Sequence, residues 1–232
     1  MFWGKRNLDG GPKTKVFAFS LERERETARR LTDPSAVDLL NARLALIDQV
    51  QTYRETGRLA DSLLRACEVE LELAPRNRPS LDVQSVGMKR LCELAADGHQ
   101  AAADIVRREF GHVRAERRLT AYEHACASWF QRHERAAAYR EMLTDRSGDL
   151  RQVGAEGSGN DLLFELIPAI EAALPGTKGE RARVRVFWAL FDLKERARLG
   201  LAREDRLPDS SHPRREDEWR RFQMKYGQAT VR

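Results

Sequence analysis

Apolar residues recur along most of the chain at three- and four-residue intervals, the spacing that lines side chains up on one face of an α-helix. Leu39, Leu40, Ala42, Leu44, Ile47 and Val50 share such a face, between a start signal at Asp33-Pro34 and a stop at Gly57. Leu59, Leu63, Ala66, Cys67 and Leu71 form the next stripe, over about 58–74, and Pro75 closes it. The short connection makes this pair an antiparallel helical hairpin. After a loop at 75–80, a third helix is expected over about 81–97, with Leu91 and Leu94 facing inward and Gly98 as its stop.

The stretch 98–146 changes direction part-way. Val106, Phe110 and Val113 lie on one face, whereas Tyr122, Cys126, Trp129, Phe130, Ala136, Tyr139 and Leu143 follow a stripe on the opposite side. Thr120-Ala-Tyr-Glu123 has the spacing of a capping box, so two helices are expected, about 100–117 and 121–145. Residues 147–160 carry Gly148, Gly154, Gly157 and Gly159 and read as a flexible linker. The loop lacks the Gly-Lys-Ser/Thr ending that a phosphate cradle needs. Beyond it, Asn160 is the expected cap of a helix bearing Leu162, Leu163, Leu166, Ile167 and Ile170, with a kink at Pro168. Thr177-Lys-Gly-Glu180 is a second capping-box match, opening a helix so apolar that it must be buried or covered by a partner. Its apolar residues are Val184, Val186, Phe187, Trp188, Leu190, Phe191 and Leu193, and Gly200-Leu201 is its stop. A last helix, about 213–226, sets Trp219, Phe222 and Tyr226 on one side.

The expected fold is therefore all-α: a multi-helix bundle of antiparallel helical hairpins with an extended N-terminal arm and a basic C-terminal helix. The arm covers residues 1–32, the main helical domain 33–146, the linker 147–160, and a helical pair with the basic terminal helix 161–232. Within the arm, Val16-Phe17-Ala18-Phe19 could form a short strand only by pairing with something else. RLCELAADGHQAAADIVRREFG, residues 90–111, is a helix–Gly–helix unit that resembles Sel1-like and other tetratricopeptide-type hairpins. No second copy follows at a fixed period, so the resemblance does not extend to a repeat architecture.

Composition narrows the class. The chain has 232 residues, 41% hydrophobic and 33% charged, enough for a real core under heavily solvated helix faces. It has no apolar run near the roughly 20 residues of a membrane helix and no signal-peptide pattern at its start, so a cytoplasmic location without a membrane partner is expected. Cys67, Cys92 and Cys126 are widely spaced and odd in number, which argues for buried thiols rather than a disulfide framework. The net charge of +5 is uneven. Residues 1–30 hold eight basic against four acidic side chains and residues 176–232 fifteen against nine, leaving the middle acidic. Basic ends favour a polyanion or an acidic protein surface.

Arginine is the strongest candidate chemistry, because guanidinium groups hold phosphates bidentately and stack on bases. Arg107, Arg114, Arg117 and Arg118 form one cluster, Arg132, Arg135 and Arg140 a second, and Arg214, Arg215, Arg220 and Arg221 a third on the last helix. Interleaved acids (Glu109, Glu116, Glu134, Glu141) could instead neutralise them within the chain. Phe2, Trp3, Trp219, Phe222 and Tyr226 are the candidate protein-docking aromatics. Glu109-Phe-Gly-His112 has the carboxylate–histidine step of di-iron bundles, but the step occurs only once. No zinc, nucleophile-elbow or dinucleotide motif accompanies it, and no metal, cofactor or catalytic residue is assigned. The expected function is a non-enzymatic basic subunit or adaptor docking into a larger assembly that could include nucleic acid. The alternatives are a stand-alone nucleic-acid-binding protein and, least favoured, an enzyme drawing on Glu109, His112, Glu123, His124, Cys126 and His133.

Overall fold

The computed structural model describes residues 21–32, 36–73 and 85–226. Every regular element among them is helical. The chain divides into two compact units, Met1–Gly87 and Met88–Arg232.

In the first unit, α1 (Leu21–Leu31) packs on α2 (Val37–Thr56), and α2 on α3 (Asp61–Leu73). Ser62 bonds Gln49 and Arg43 bonds Glu70, so residue numbers rise on one helix as they fall on the other. This is the expected antiparallel hairpin. Gly57, at φ +66°, ends α2 with its N–H on the Tyr53 carbonyl at 2.8 Å. Leu39, Leu46, Ile47 and Val50 meet Leu63, Cys67 and Leu71 in the core; Leu46, outside the expected stripe, is fully buried and Leu44 only half so. Glu70, a charged residue on α3, is 0% exposed. Its carboxylate takes Arg43 Nε at 3.0 Å, Ser85 Oγ at 2.7 Å and the Gly87 N–H at 2.9 Å. Both of its oxygens are hydrogen-bonded and one is paired with a guanidinium, as a buried charge requires. The expected Asp33-Pro34 start and the Val16–Phe19 strand lie outside the described residues.

The unit boundary falls in the first turn of α4 (Val86–Ala96), which Gly98, at φ +94°, joins to α5 (Gln100–Phe110). This is the helix–Gly–helix unit read from residues 90–111. The stretch 98–146 then holds three helices rather than two: α5, α6 (Ala115–Ser128) and α7 (Arg132–Thr144). Thr120 is not a cap but lies inside α6, its hydroxyl bonded back to the Glu116 carbonyl at 2.8 Å. The capping box is built by Gln131 and Glu134 at the start of α7.

Residues 148–160, expected as a linker, form helix α8 (Gly148–Asn160), packed against both α7 and α10 (Glu180–Leu199). Leu150, Ala155 and Ser158 on α8 are 0% exposed. Each interior glycine costs about 1 kcal/mol of helix propensity, but here the missing Cβ atoms let neighbours approach. A Cβ on Gly154 would lie 2.9 Å from Met142 Cβ, one on Gly157 2.5 Å from the Tyr139 ring, and one on Gly148 2.1 Å from the Lys178 carbonyl oxygen. Tertiary packing overrides composition. Leu150 joins a cluster with Tyr122, Tyr139, Met142, Leu163 and Leu166, and Ala155 joins a second with Ile170, Val186, Phe187, Leu190 and Phe191. Asn160 therefore ends α8 rather than capping the next helix. Leu162, at φ +51°, takes the left-handed turn, with the Leu163 N–H reaching the Ser158 carbonyl at 2.9 Å. A 3₁₀ turn (Phe164–Leu166) leads into α9 (Ile167–Ala173), where Pro168 sits in the first turn and produces no kink. Thr177 likewise is not an N-cap, because its hydroxyl bonds the Ala173 carbonyl at 2.9 Å and Gly179 precedes α10. Gly200, at φ +64°, ends α10 as expected. The last helix is α11 (Ser211–Tyr226).

Candidate interaction groove

Two polar attachments seat α11 on α10. The Glu195 carboxylate, almost fully buried, receives Arg198 Nε and Nη2 at 3.1 and 2.9 Å, Arg214 Nη1 at 3.0 Å and Ser211 Oγ at 3.4 Å. The Arg198 hydrogen bonds, with the charges of Arg198 and Arg214, hold it below the usual carboxylate range. One turn earlier, Arg215 lies 5.0 Å over the Trp188 ring and 3.9 Å from Asp192. Desolvation raises the Asp192 pKa, and its Oδ1 is buried without a hydrogen bond. Between these anchors and the chain end, Phe187 packs against Trp219 and Phe222 at 5.0 and 6.1 Å between centroids, and Phe222 against Tyr226 at 4.9 Å.

The seat does not close along its length. Beside Phe222 and Tyr226 a groove of mixed polarity and about 220 Å³ stays open, floored by the nearly buried Leu174, Leu190 and Phe191. Leu190, Phe191 and Lys194 come from one face of α10, and Glu218, Phe222 and Tyr226, four residues apart, from one face of α11. A Lys194–Glu171 ion pair and Glu218 form the polar rim.

The candidate aromatics are thus divided. Trp219, Phe222 and Tyr226 belong to the chain's own packing, the last two also lining the groove; Phe2 and Trp3 lie outside the described residues.

Most of the candidate arginines are occupied by the chain's own acceptors. Arg117 is bidentate to buried Glu109 at 2.6 and 2.7 Å. Arg118, 6% exposed, is bidentate to Asp145 at 2.9 and 2.8 Å and also holds the His112 and Val113 carbonyls. Desolvation would raise Asp145, but Arg118 and the Ser147 N–H outweigh it and hold its carboxyl below the usual range. Arg135 bonds Asp161 at 2.6 Å and Arg132 the Leu162 carbonyl at 3.2 Å. Arg107 pairs with Asp104 and lies 5.3 Å over Trp129; Arg220 pairs with Asp217 at 3.6 Å. Arg114 is half-buried, while Arg140 and Arg221 are exposed.

Two of the groups that an enzyme would draw on are held by the chain itself. Glu109 belongs to the Arg117 pair, and His112 accepts the Arg114 N–H at Nδ1, 3.1 Å away. His124 is buried on α6 and His133 exposed on α7. Burial pushes the Cys126 thiol up to about 12 against the pull of Tyr139 and Arg135, and pushes Cys92 up further. Both are protonated at neutral pH and are poor nucleophiles as they stand. Glu123, on α6, is half-buried. Among the described residues no three His, Cys, Asp or Glu side chains gather as metal ligands, and no helix is long and apolar enough to cross a membrane.

Comparison of the chain with protein-family models, curated proteins and solved structures gives no match.

Trp188 is the residue that the sequence hides. Its helix reads as apolar all round, yet Trp188 is 38% exposed. The readable signal is Arg181, Arg185 and Trp188 at i, i+4 and i+7, one polar face with a single indole in it.

Proposed function

We propose that the chain is a non-enzymatic helical adaptor whose groove between α9, α10 and α11 receives a short apolar segment of a partner protein. The groove supports this reading: half-buried Phe222 and Tyr226 line about 220 Å³ of open space over the nearly buried Leu174, Leu190 and Phe191. That volume is below the roughly 300–1,000 Å³ of small-molecule sites and suits one or two bulky side chains. Buried anchors of this kind carry most of the energy at protein interfaces. The rim holds both charge signs, so the partner segment is expected to have an apolar anchor flanked by polar residues rather than a long charged run.

Selection of a random peptide library on the full chain tests this, with Phe222→Ala and Tyr226→Ala proteins, checked for unchanged helicity, as comparators. The expected result is enrichment of peptides bearing one or two Leu, Ile, Phe or Trp anchors, with affinity at least tenfold weaker for both variants. Enriched peptides that bind the variants as tightly as the parent protein would refute the reading, as would no enrichment.

A further inference from the structure

On the side of α11 away from the groove, α10 presents a second surface. Arg181, Arg185 and Trp188 fall within about 60° of one another around the helix, at 100° per residue, and all three are exposed. Lys178, two residues before α10, is exposed too, and Arg215 from α11 lies over the Trp188 ring. Arg181 and Lys178 make no ion pair among the described residues. The acids near this row are Glu156, 3.9 Å from Arg185, Asp192, 3.9 Å from Arg215, and the exposed Glu180. The exposed Arg185–Glu156 pair is worth at most about 1 kcal/mol, so a polyanion can take over Arg185, while Arg215 stays half-buried against Asp192 with its plane over the indole.

We propose that this row binds single-stranded nucleic acid, with phosphates on Arg181 and Arg185 and a base stacked at the Arg215–Trp188 platform. Steps of four residues along α10 space the cations by about 6 Å. Guanidinium planes and indole rings are the surfaces on which unpaired bases stack. A duplex hides its base faces, and an anionic membrane offers none, so the exposed indole among the cations selects the single strand. This surface is separate from the groove and stands or falls without it.

Fluorescence anisotropy of a labelled twelve-nucleotide oligo(dT) or oligo(U) with the full chain tests it, beside the duplex and vesicles rich in phosphatidylserine. Binding is expected to weaken as salt rises, with a log–log slope of about −1.4, from about 0.7 per phosphate contact on a single strand over the two arginines. Arg181→Glu/Arg185→Glu should weaken binding tenfold or more. Trp188→Ala should weaken it at least fivefold, the lower end of what loss of one stacked base costs. Melting curves check that the variants fold; Trp188 also carries Arg215 in the α11 seat, so the Arg181/Arg185 variant, at two exposed positions of α10, keeps the test independent of that seat. No binding at 50 mM salt, binding indifferent to the substitutions, or tighter binding to vesicles or duplex would each overturn the proposal.

Discussion

Gly157→Ala separates a packed α8 from a loose connector by the sign of its effect. The new Cβ would stand 2.5 Å from Tyr139 Cε1 and 2.6 Å from Cζ, against the roughly 3.5–4.0 Å of ordinary carbon contact. The ring would have to retreat by about 1 Å. It cannot do so freely, because Tyr139 is 7% exposed and its hydroxyl bonds Asp161 at 3.2 Å. Overpacking of this kind costs about 1–3 kcal/mol, and loss of the hydroxyl bond about 1 more. The gain in helix propensity on replacing glycine offsets about 1. The net expectation is a loss of about 1–3 kcal/mol, read as a lower urea midpoint by circular dichroism at unchanged slope. Gly159→Ala is the internal control, since nothing lies within 4 Å of its added Cβ; it should be neutral or stabilising by up to about 1 kcal/mol. In a Tyr139→Leu background the penalty at Gly157 should shrink, which a double-mutant cycle would measure. If Gly157→Ala is as stable as the parent, α8 is not packed in this way and the reasoning fails.

Arg118→Ala leaves Asp145 and two loop carbonyls without their partner, so a loss of about 3 kcal/mol is expected in urea unfolding, the lower end for breaking a buried pair. A loss below 1 kcal/mol would mean that the pair is no more than a surface contact. Asp145 and Glu195 are held below the usual carboxylate range, so both contribute stability above that range and lose it as pH falls through their folded values. Asp192, raised by desolvation, has the opposite sign: its ionised form opposes folding, and acid relieves it. Asp192→Asn should therefore raise the urea midpoint at pH 7, and the gain should vanish below the carboxylate range; a lower midpoint at pH 7 contradicts the assignment. Cys67 and Cys92 are fully buried and the Cys126 thiol is pushed up to about 12, so a chromogenic disulfide reagent at pH 8 should find almost no reactive thiol until denaturant is added. Rapid native labelling of any of them would be inconsistent with the packing.

The features legible in sequence are those set within one or two helical turns. The α2–α3 hairpin, the stops at Gly57, Gly98 and Gly200, and the amphipathic α11 follow from apolar spacing and left-handed glycines. Long-range pairing was not legible. Arg118 finds Asp145 across 27 residues and Arg135 finds Asp161 across 26, so these two members of the apparent arginine surface are held by the chain's own acids. Capping boxes matched by spacing failed where a threonine hydroxyl could bond back within its own chain, as at Thr120 and Thr177. Helix α8 was hidden because its glycines disfavour a helix locally, and only the approach of Tyr139, Met142 and Lys178 gives the missing side chains a purpose. Of the groove, Phe222 and Tyr226 were visible as an outward aromatic stripe. Their alignment with Leu190 and Phe191 requires the α10–α11 crossing, which no local pattern encodes.

The groove is the centre of the functional account, and methyl-labelled NMR of the full chain with a library-selected peptide tests it most directly. The account predicts chemical-shift changes concentrated at Leu174 and Leu190, saturating with the same affinity as binding. Shifts centred elsewhere, or binding that leaves both leucines unmoved, would contradict it.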